Sequence, residues 1–419
     1  MSDRIIPLLI VSILLLLLDV YIYNALRSVF PKWKNKQVKL FTCIWWGYSL
    51  FLIAGVFIGI YFNLRLTLRA IILVAFFITF VSKIFFLPFI FMDDIRRGFV
   101  WIKRKLPHRK ENIKPQKTVE GETISRSEFL VKAGIAVAAV PFASLTWGIV
   151  SGAYDYKVKR NTLYLKNLPK AFDGIKLGQI SDIHSGSFYN QKAVKGGVEM
   201  LLAEKPDFIF FTGDLVNNQA SEMRDYQDIF TKVKAPLGVF STLGNHDYGD
   251  YYYGKEPSPA KAKNLQQVIA THKTMGWDLL MNENRTLKVN GEEISIVGIE
   301  NWGAGRFPKH GIMDLAVKGT EDKPVKLLLS HDPSHWRAQV LTKYPQIDAM
   351  FSGHTHGMQF GVLTENYQWS PIEYVYPEWA GFYREGEQQL YVNVGYGFLG
   401  YPGRVGILPE ITIFELKQS

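Results

Sequence analysis

Three apolar runs near the start of the chain, Ile5 to Leu26, Leu40 to Phe62 and Leu68 to Met92, set the first limit on its fold. Each approaches the ~20 apolar residues that cross a bilayer as a helix. Aliphatic and aromatic residues cover every face of a 3.6-residue period, so a buried helix of a soluble core is a poor alternative. Phe129 to Val150 is a fourth run, with Lys132 near its start and Pro141 in its middle. The sequence therefore predicts a membrane region over 1–150, with helices at 5–26, 40–62, 68–92 and 129–150, and a separate domain over 151–419. Asp19 and Lys83 lie inside apolar runs and belong to no motif, which fits an interhelical pair or a snorkelling end.

Charge divides the chain at the same place. The first 150 residues hold 20 Lys and Arg against 8 Asp and Glu, and the rest holds 28 against 30. The basic excess gathers between the first and second runs (Arg27, Lys32, Lys34, Lys36, Lys39) and between the third and fourth, from Arg96 to Arg126. Basic flanks stay on the cytoplasmic side. Both loops then face in, and four spans carry residues from about 151 onward outside. Ser125-Arg126-Ser127-Glu128-Phe129-Leu130 looks like a twin-arginine export signal whose second Arg is replaced by Ser127; an uncleaved fourth helix is the other reading, with the same outward placement. A pI near 9.3 does not call for nucleic acid, because the domain that would carry a phosphate-binding patch is slightly acidic. The single cysteine, Cys43, lies in the second run, so a thiolate ligand in the second domain is excluded.

Beyond Leu163-Tyr164-Leu165, which reads as an edge strand, apolar runs alternate with helical patterns at Ala193 to Ala203, Met223 to Val233 and Ala260 to Met275. That alternation predicts a layered α/β core. Five apolar runs end on polar residues of one kind. Ile175 to Ser181 leads into Asp182-Ile183-His184, and Asp207 to Thr212 into Gly213-Asp214. Gly238 to Leu243 leads into Gly244-Asn245-His246-Asp247, Val325 to Ser330 into His331, and Ile347 to Ser352 into Gly353-His354-Thr355-His356-Gly357. Loops at the C-terminal edge of an α/β sheet converge on one crevice. Side chains at i and i+2 share a face, so Asp182 with His184, and His354 with His356, can each converge on one centre. Carboxylate, imidazole and amide oxygen together suit Mn, Fe, Zn or similar ions.

The five motifs, in this order, resemble the calcineurin-like metallophosphoesterases over about residues 170 to 416. Leu390 to Gly397 and Pro409-Glu410-Ile411 look like the closing strands of the membrane-associated or exported bacterial branch. The resemblance implies an α/β fold, a four-layer αββα sandwich with two central mixed sheets, preceded here by the α-helical transmembrane region. It implies two divalent metal ions, one held by Asp182, His184 and His356, the other by Asn245, His331 and His354, with Asp214 bridging them. His246 then stabilises charge or protonates the leaving oxygen, and Asp247 orients His246 or a ligand. Arg404, after Gly400-Tyr401-Pro402-Gly403, is a candidate for a bidentate substrate-phosphate contact, with an ion pair as its structural alternative. The aromatic stretch Trp369 to Tyr383 forms a lip over the cleft, rests on a bilayer or simply packs. His108, His272, His310 and His335 match no motif position and read as surface or structural.

The expected activity is hydrolysis of a phosphate ester, of envelope or lipid origin, by a multi-pass protein of the bacterial inner (cytoplasmic) membrane. The family also includes pyrophosphatases of the lipid A precursor UDP-2,3-diacylglucosamine, whose cytoplasmic substrate disagrees with the outward placement. A non-catalytic membrane sensor keeping the fold is the contrasting class, and the intact ligand set speaks against it.

Overall fold

The computed structural model describes residues 5–30, 32–61, 66–105, 126–305, 307 and 309–419. The basic stretch 106–125, with His108, Arg109, Lys110, Lys114 and Lys117, and the end of the second run at Phe62 lie outside the described residues. The chain divides into two compact units, 1–146 and 147–419.

The first unit holds the helices α1 (Ile5–Val29), α2 (Asn35–Tyr61) and α3 (Leu66–Lys105) and all but the last four residues of α4 (Arg126–Val150). Four candidate membrane spans occur among the described residues, one on each helix. The difference from the sequence reading is in α3, which continues well past Met92. Pro88 does not stop it. The Arg96 guanidinium binds Asp93 one turn earlier and Ser127 at the start of α4, which supports the polar continuation. Ile22 and Val29 of α1, Phe86 and Ile90 of α3 and Val131 of α4 form a shared apolar seam. Gly134 of α4 lies so close to the Phe86 ring that a Cβ there would stand 2.5 Å from it. Small residues permit such helix approach in membranes.

Asp19 and Lys83 form an interhelical pair. Lys83 Nζ lies 2.5 Å from Asp19 Oδ1 and 3.3 Å from Ser49 Oγ, and it sits over the Trp45 and Phe80 rings.

Among the described residues the second unit contains fourteen strands. In chain order they are β1 (Lys157–Leu165), β2 (Lys176–Ile180), β3 (Phe208–Phe211), β4 (Val239–Ser241), β5 (Asp278–Leu279), β6 (Glu283–Val289) and β7 (Glu292–Gly298). They continue as β8 (Lys326–Leu329), β9 (Ala349–Ser352), β10 (Val362–Leu363), β11 (Gln368–Trp369), β12 (Gly381–Glu385), β13 (Gln388–Val392) and β14 (Glu410–Gln418). One sheet has the order β1-β14-β2-β3-β4-β5 and the other β12-β13-β9-β8-β7-β6. β2 to β5 run parallel, β14 antiparallel to β2; β7, β8, β9 and β13 run parallel, with β6 and β12 as antiparallel edges. Both are the mixed sheets expected.

Alternation along each strand sets the layers. Leu177, Phe208 and Phe210 of the first sheet meet Leu327, Leu329 and Phe351 of the second in one core. Ile180, Ile209 and Phe211 point the other way, onto α5 (Gln191–Ala203) and the helix Pro259–Met275, while Leu328 and Met350 face a third cluster with Trp336. This is the αββα sandwich. Met223 to Val233 is not one helix but short turns at Ala220–Asp225 and Gln227–Phe230.

The membrane pair generates a stability prediction. Lys83→Met leaves Asp19 buried and unpaired and is expected to cost about 3–5 kcal/mol, whereas Asp19→Leu with Lys83→Met recovers most of it. The unfolding midpoints of the detergent-solubilised full chain separate the two outcomes.

Candidate metal centre

The C-terminal ends of β2, β3 and β4 in one sheet and β8 and β9 in the other share an edge. From those ends Asp182, His184, Asp214, Asn245, His331, His354 and His356 are delivered to one buried place. Asp182, His184 and His356 each bring a donor atom within 4.8 Å of the others, and Asp214, His331 and His354 do the same. Asp214 stands between the groups, its Oδ2 lying 3.4 Å from His184 Nε2 and 3.1 Å from His331 Nε2. His356 Nε2 is 3.2 Å from Asp182 Oδ1. Asn245 Oδ1 is 2.9 Å from His354 Nδ1, which places the amide in the second group.

The backbone is bent to make this possible. Asp182, His184, Asp214, His354 and His356 all have positive φ, between 46° and 73°. Such conformations cost of order 1–3 kcal/mol each in a residue with a Cβ and persist only where surroundings impose them. Two glycines make room. A Cβ on Gly244 would run into the Asp214 carboxylate, and one on Gly353 into the Asp182 carboxylate and Ser181 Oγ.

Hydrogen bonds fix which atoms face inward. His331 Nδ1 is 2.7 Å from the Thr212 carbonyl, and His354 Nε2 is 2.8 Å from Tyr376 Oη and 3.5 Å from Asp332 Oδ2. The buried Nε2 atoms of His184, His331 and His356 have no hydrogen-bond partner among the described residues. Unpartnered buried imidazole nitrogens beside two carboxylates are the donor set that a divalent cation satisfies. The electrostatics agree. Burial disfavours a charged imidazole, yet Asp214 and Asp182 raise His331 to about 10. Burial pushes Asp182 up, but His356 and His331 hold it well below the usual carboxylate range.

Among the described residues the hydrogen-bond partners of the Asp247 carboxylate are main-chain N–H groups and not the His246 ring. The carboxylate accepts the N–H groups of Asp214, Leu215, Val216 and Gly244 at 2.9–3.2 Å. Burial and the Asp214 charge raise it to about 7 against these donors. It therefore shapes the ligand loop. His246 is placed by other groups: its N–H donates to Asp214 Oδ1, its Nδ1 is 2.7 Å from the Asn217 carbonyl, and its ring lies 4.4 Å from that of Tyr251.

Arg404 requires a correction. Its guanidinium is 1% exposed and donates to the carbonyls of Val394, Gly395 and Gly397, with Nη2 3.3 Å from His356 Nδ1. Burial lowers it to about 10. A side chain committed to main-chain carbonyls behind His356 has no face for a substrate phosphate. His272 and His335 are buried on Ser241 and Ser330, and His310 stacks on Tyr248.

Asn217, Tyr251, Asp332 and Tyr376 were missed in the sequence. Asp332 directly follows His331 and Tyr376 lies in the aromatic stretch already singled out, so adjacency was the available signal. Asn217 holds His246 through its carbonyl alone, and a main-chain contact leaves no trace in residue type.

Gly353→Ala is expected to displace the Asp182 carboxylate while leaving Asp214, His331 and His354 in place. Metal per chain, measured by plasma mass spectrometry on the purified protein, should fall by about half with an unchanged circular dichroism spectrum.

Comparison with known proteins gives two matches to family models. Residues 3–153 match "Probable Calcineurin-like phosphoesterase, transmembrane domain", and residues 175–358 match "Calcineurin-like phosphoesterase". The chain is 30% identical to the uncharacterized metallophosphoesterase YkuE of Bacillus subtilis over 313 residues, 71% of this chain and 99% of that protein. It is 29% identical over 280 residues to the transmembrane protein with metallophosphoesterase domain of Danio rerio, covering 65% of this chain and 60% of the zebrafish protein's length. Phosphodiesterase YaeI of Escherichia coli is 26% identical over 241 residues, 57% of this chain and 80% of that protein.

Proposed function

Because the chain belongs to the calcineurin-like metallophosphoesterases, we propose that it is a membrane-anchored hydrolase of phosphate esters that works through two divalent cations. The observation that carries this reading is the pair of donor groups with Asp214 between them. Asp182, His184 and His356 would hold one cation and Asn245, His331 and His354 the other, with Asp214 placed to serve both. When bound, such a pair supplies Lewis acidity at phosphorus and a water acidic enough to attack near neutral pH. Mn, Fe and Zn all fit the donor set.

The protein's own groups do the rest. Asp247 fixes the main chain that carries Asp214, so the bridging carboxylate is set before substrate arrives. With Nδ1–H donated to the Asn217 carbonyl, His246 presents Nε2 to the leaving oxygen and gives up a proton there only as the imidazolium, a form that burial disfavours. The substrate is an envelope or lipid-derived phosphate ester, reached from the outer side of a bacterial inner membrane. The name of the E. coli relative makes a diester the first to try.

Three measurements bear on this. Asp214→Asn in the full chain is expected to abolish metal-dependent turnover of bis-p-nitrophenyl phosphate; turnover kept in that variant sinks the two-cation reading. His246→Gln should lower kcat by about 10²–10⁴-fold with metal content unchanged. An alkaline phosphatase fusion at Ser419 should be active outside, and a cytoplasmic result would revive the UDP-2,3-diacylglucosamine pyrophosphatase alternative.

A further inference from the structure

Between His356 and β12 the chain leaves the second sheet and returns, and this excursion carries an unusual share of the exposed apolar surface. Of the sixteen exposed large apolar side chains described in 147–419, six fall within it: Met358, Phe360, Val362, Tyr367, Tyr374 and Val375. Tyr374 is 77% exposed and Val375 69%. The segment is nevertheless ordered from within. β10 pairs with β11, Ser370 Oγ donates to the Gly357 carbonyl, and Leu363, Ile372 and Tyr376 pack on Trp379, Val394 and Ile407. Alternate residues thus turn inward onto a small core while their neighbours are held outward. An apolar face built this way and left open needs an occupant.

Its neighbour indicates which one. Phe360 forms a parallel bridge with Val405, the Gly361 N–H donates to the Val405 carbonyl, and the Val405 N–H to that of Gln359. The adjacent Arg404 N–H donates to the Gly148 carbonyl in the last turn of α4, 3.1 Å away. Gly148 is close enough that a Cβ there would stand 2.7 Å from Val405 Cγ2. This last turn, Trp147–Val150, belongs to the catalytic unit and ends a helix long and apolar enough to cross a bilayer. Trp147 and Val150 are themselves exposed. The apolar face of the excursion therefore continues, through one intervening strand of main chain, into the exit of a membrane span.

The same excursion reaches the metal centre, since Tyr376 Oη is 2.8 Å from His354 Nε2. We propose that the 357–376 excursion is a lip that seats on the lipid bilayer beside the exit of α4, with Tyr374 and Val375 in the interface, so that the cleft opens toward phosphate esters carried by lipids. Aromatic and aliphatic side chains at the end of a span favour that interface. The proposal rests on the hydrolase reading above only for its second half, the approach of substrate.

The test uses the full chain with Cys43→Ser, reconstituted in vesicles of phosphatidylethanolamine and phosphatidylglycerol. Bimane is placed at Val375→Cys or, as control, at Glu321→Cys, an exposed position ahead of β8. Brominated phosphatidylcholine should quench the label at 375 at least about twofold more than the control, and aqueous iodide should do the reverse. Equal iodide quenching at both positions overturns the seat. Shielding at 375 from both quenchers assigns the face to a protein and overturns it as well. Tyr374→Glu with Val375→Glu should leave turnover of soluble bis-p-nitrophenyl phosphate unchanged and lower that of an acyl-linked nitrophenyl phosphate diester in the same vesicles by about tenfold. Equal turnover of the vesicle-borne ester by both forms overturns the approach of substrate through the lip. Absence of turnover of either ester by the unsubstituted chain sinks the hydrolase reading, while the quenching still decides the seat.

Discussion

One buried carboxylate organises the centre without holding anything that reacts. Asp247 gathers N–H groups from the loops that follow β3 and β4 and ties two strand ends into a single surface. The Asp214 main chain is held on one side by this contact, and its carboxylate is held on the other by the His246 N–H. Remove the carboxylate, and four amides in a dry interior lose their acceptor at a place where five neighbouring site residues already sit in left-handed backbone conformations. The positive φ of Asp214 and the glycine at 244 that admits its carboxylate at close range belong to the loops pinned in this manner.

Those loops explain what could be read from the chain and what could not. The candidate ligand residues were legible because each follows a short apolar run, and a run of about four to eight such residues cut off by a glycine or polar turn is too short for a buried helix and reads as a strand. Asp182 with His184, and His354 with His356, announced themselves by spacing. The two sheets were legible as a class, but their pairing was not, since β14 inserting between β1 and β2 depends on the last nine strand residues finding the first strands of the unit. Arg404 was misread for a physical reason. A glycine-flanked arginine near a phosphate site has the same local sequence whether its guanidinium faces the cleft or the carbonyls behind His356, and only the fold decides.

The membrane region was legible in number and blurred at its ends. Hydropathy marks where water is excluded, whereas a helix ends where its hydrogen bonds do. α3 runs on through Asp93, Asp94, Arg96 and Arg97 because arginine favours helix as readily as leucine does, and Asp93 and Arg96 pair one turn apart along it. At about 1.5 Å per residue, the 40 residues of α3 make a rod roughly twice as long as the hydrocarbon layer is thick.

The donor atoms come from both sheets: Asp182, His184, Asp214 and Asn245 from one, His331, His354 and His356 from the other. The aromatic contact between Phe210 and Phe351 closes the sandwich in its middle, with ring centroids 5.1 Å apart, but at the ligand edge the facing groups are polar and several of them are bare. An ion held there would work as a rivet between two plates: its donors would join the sheets at the rim, where the aromatic contact that joins them in the middle does not reach.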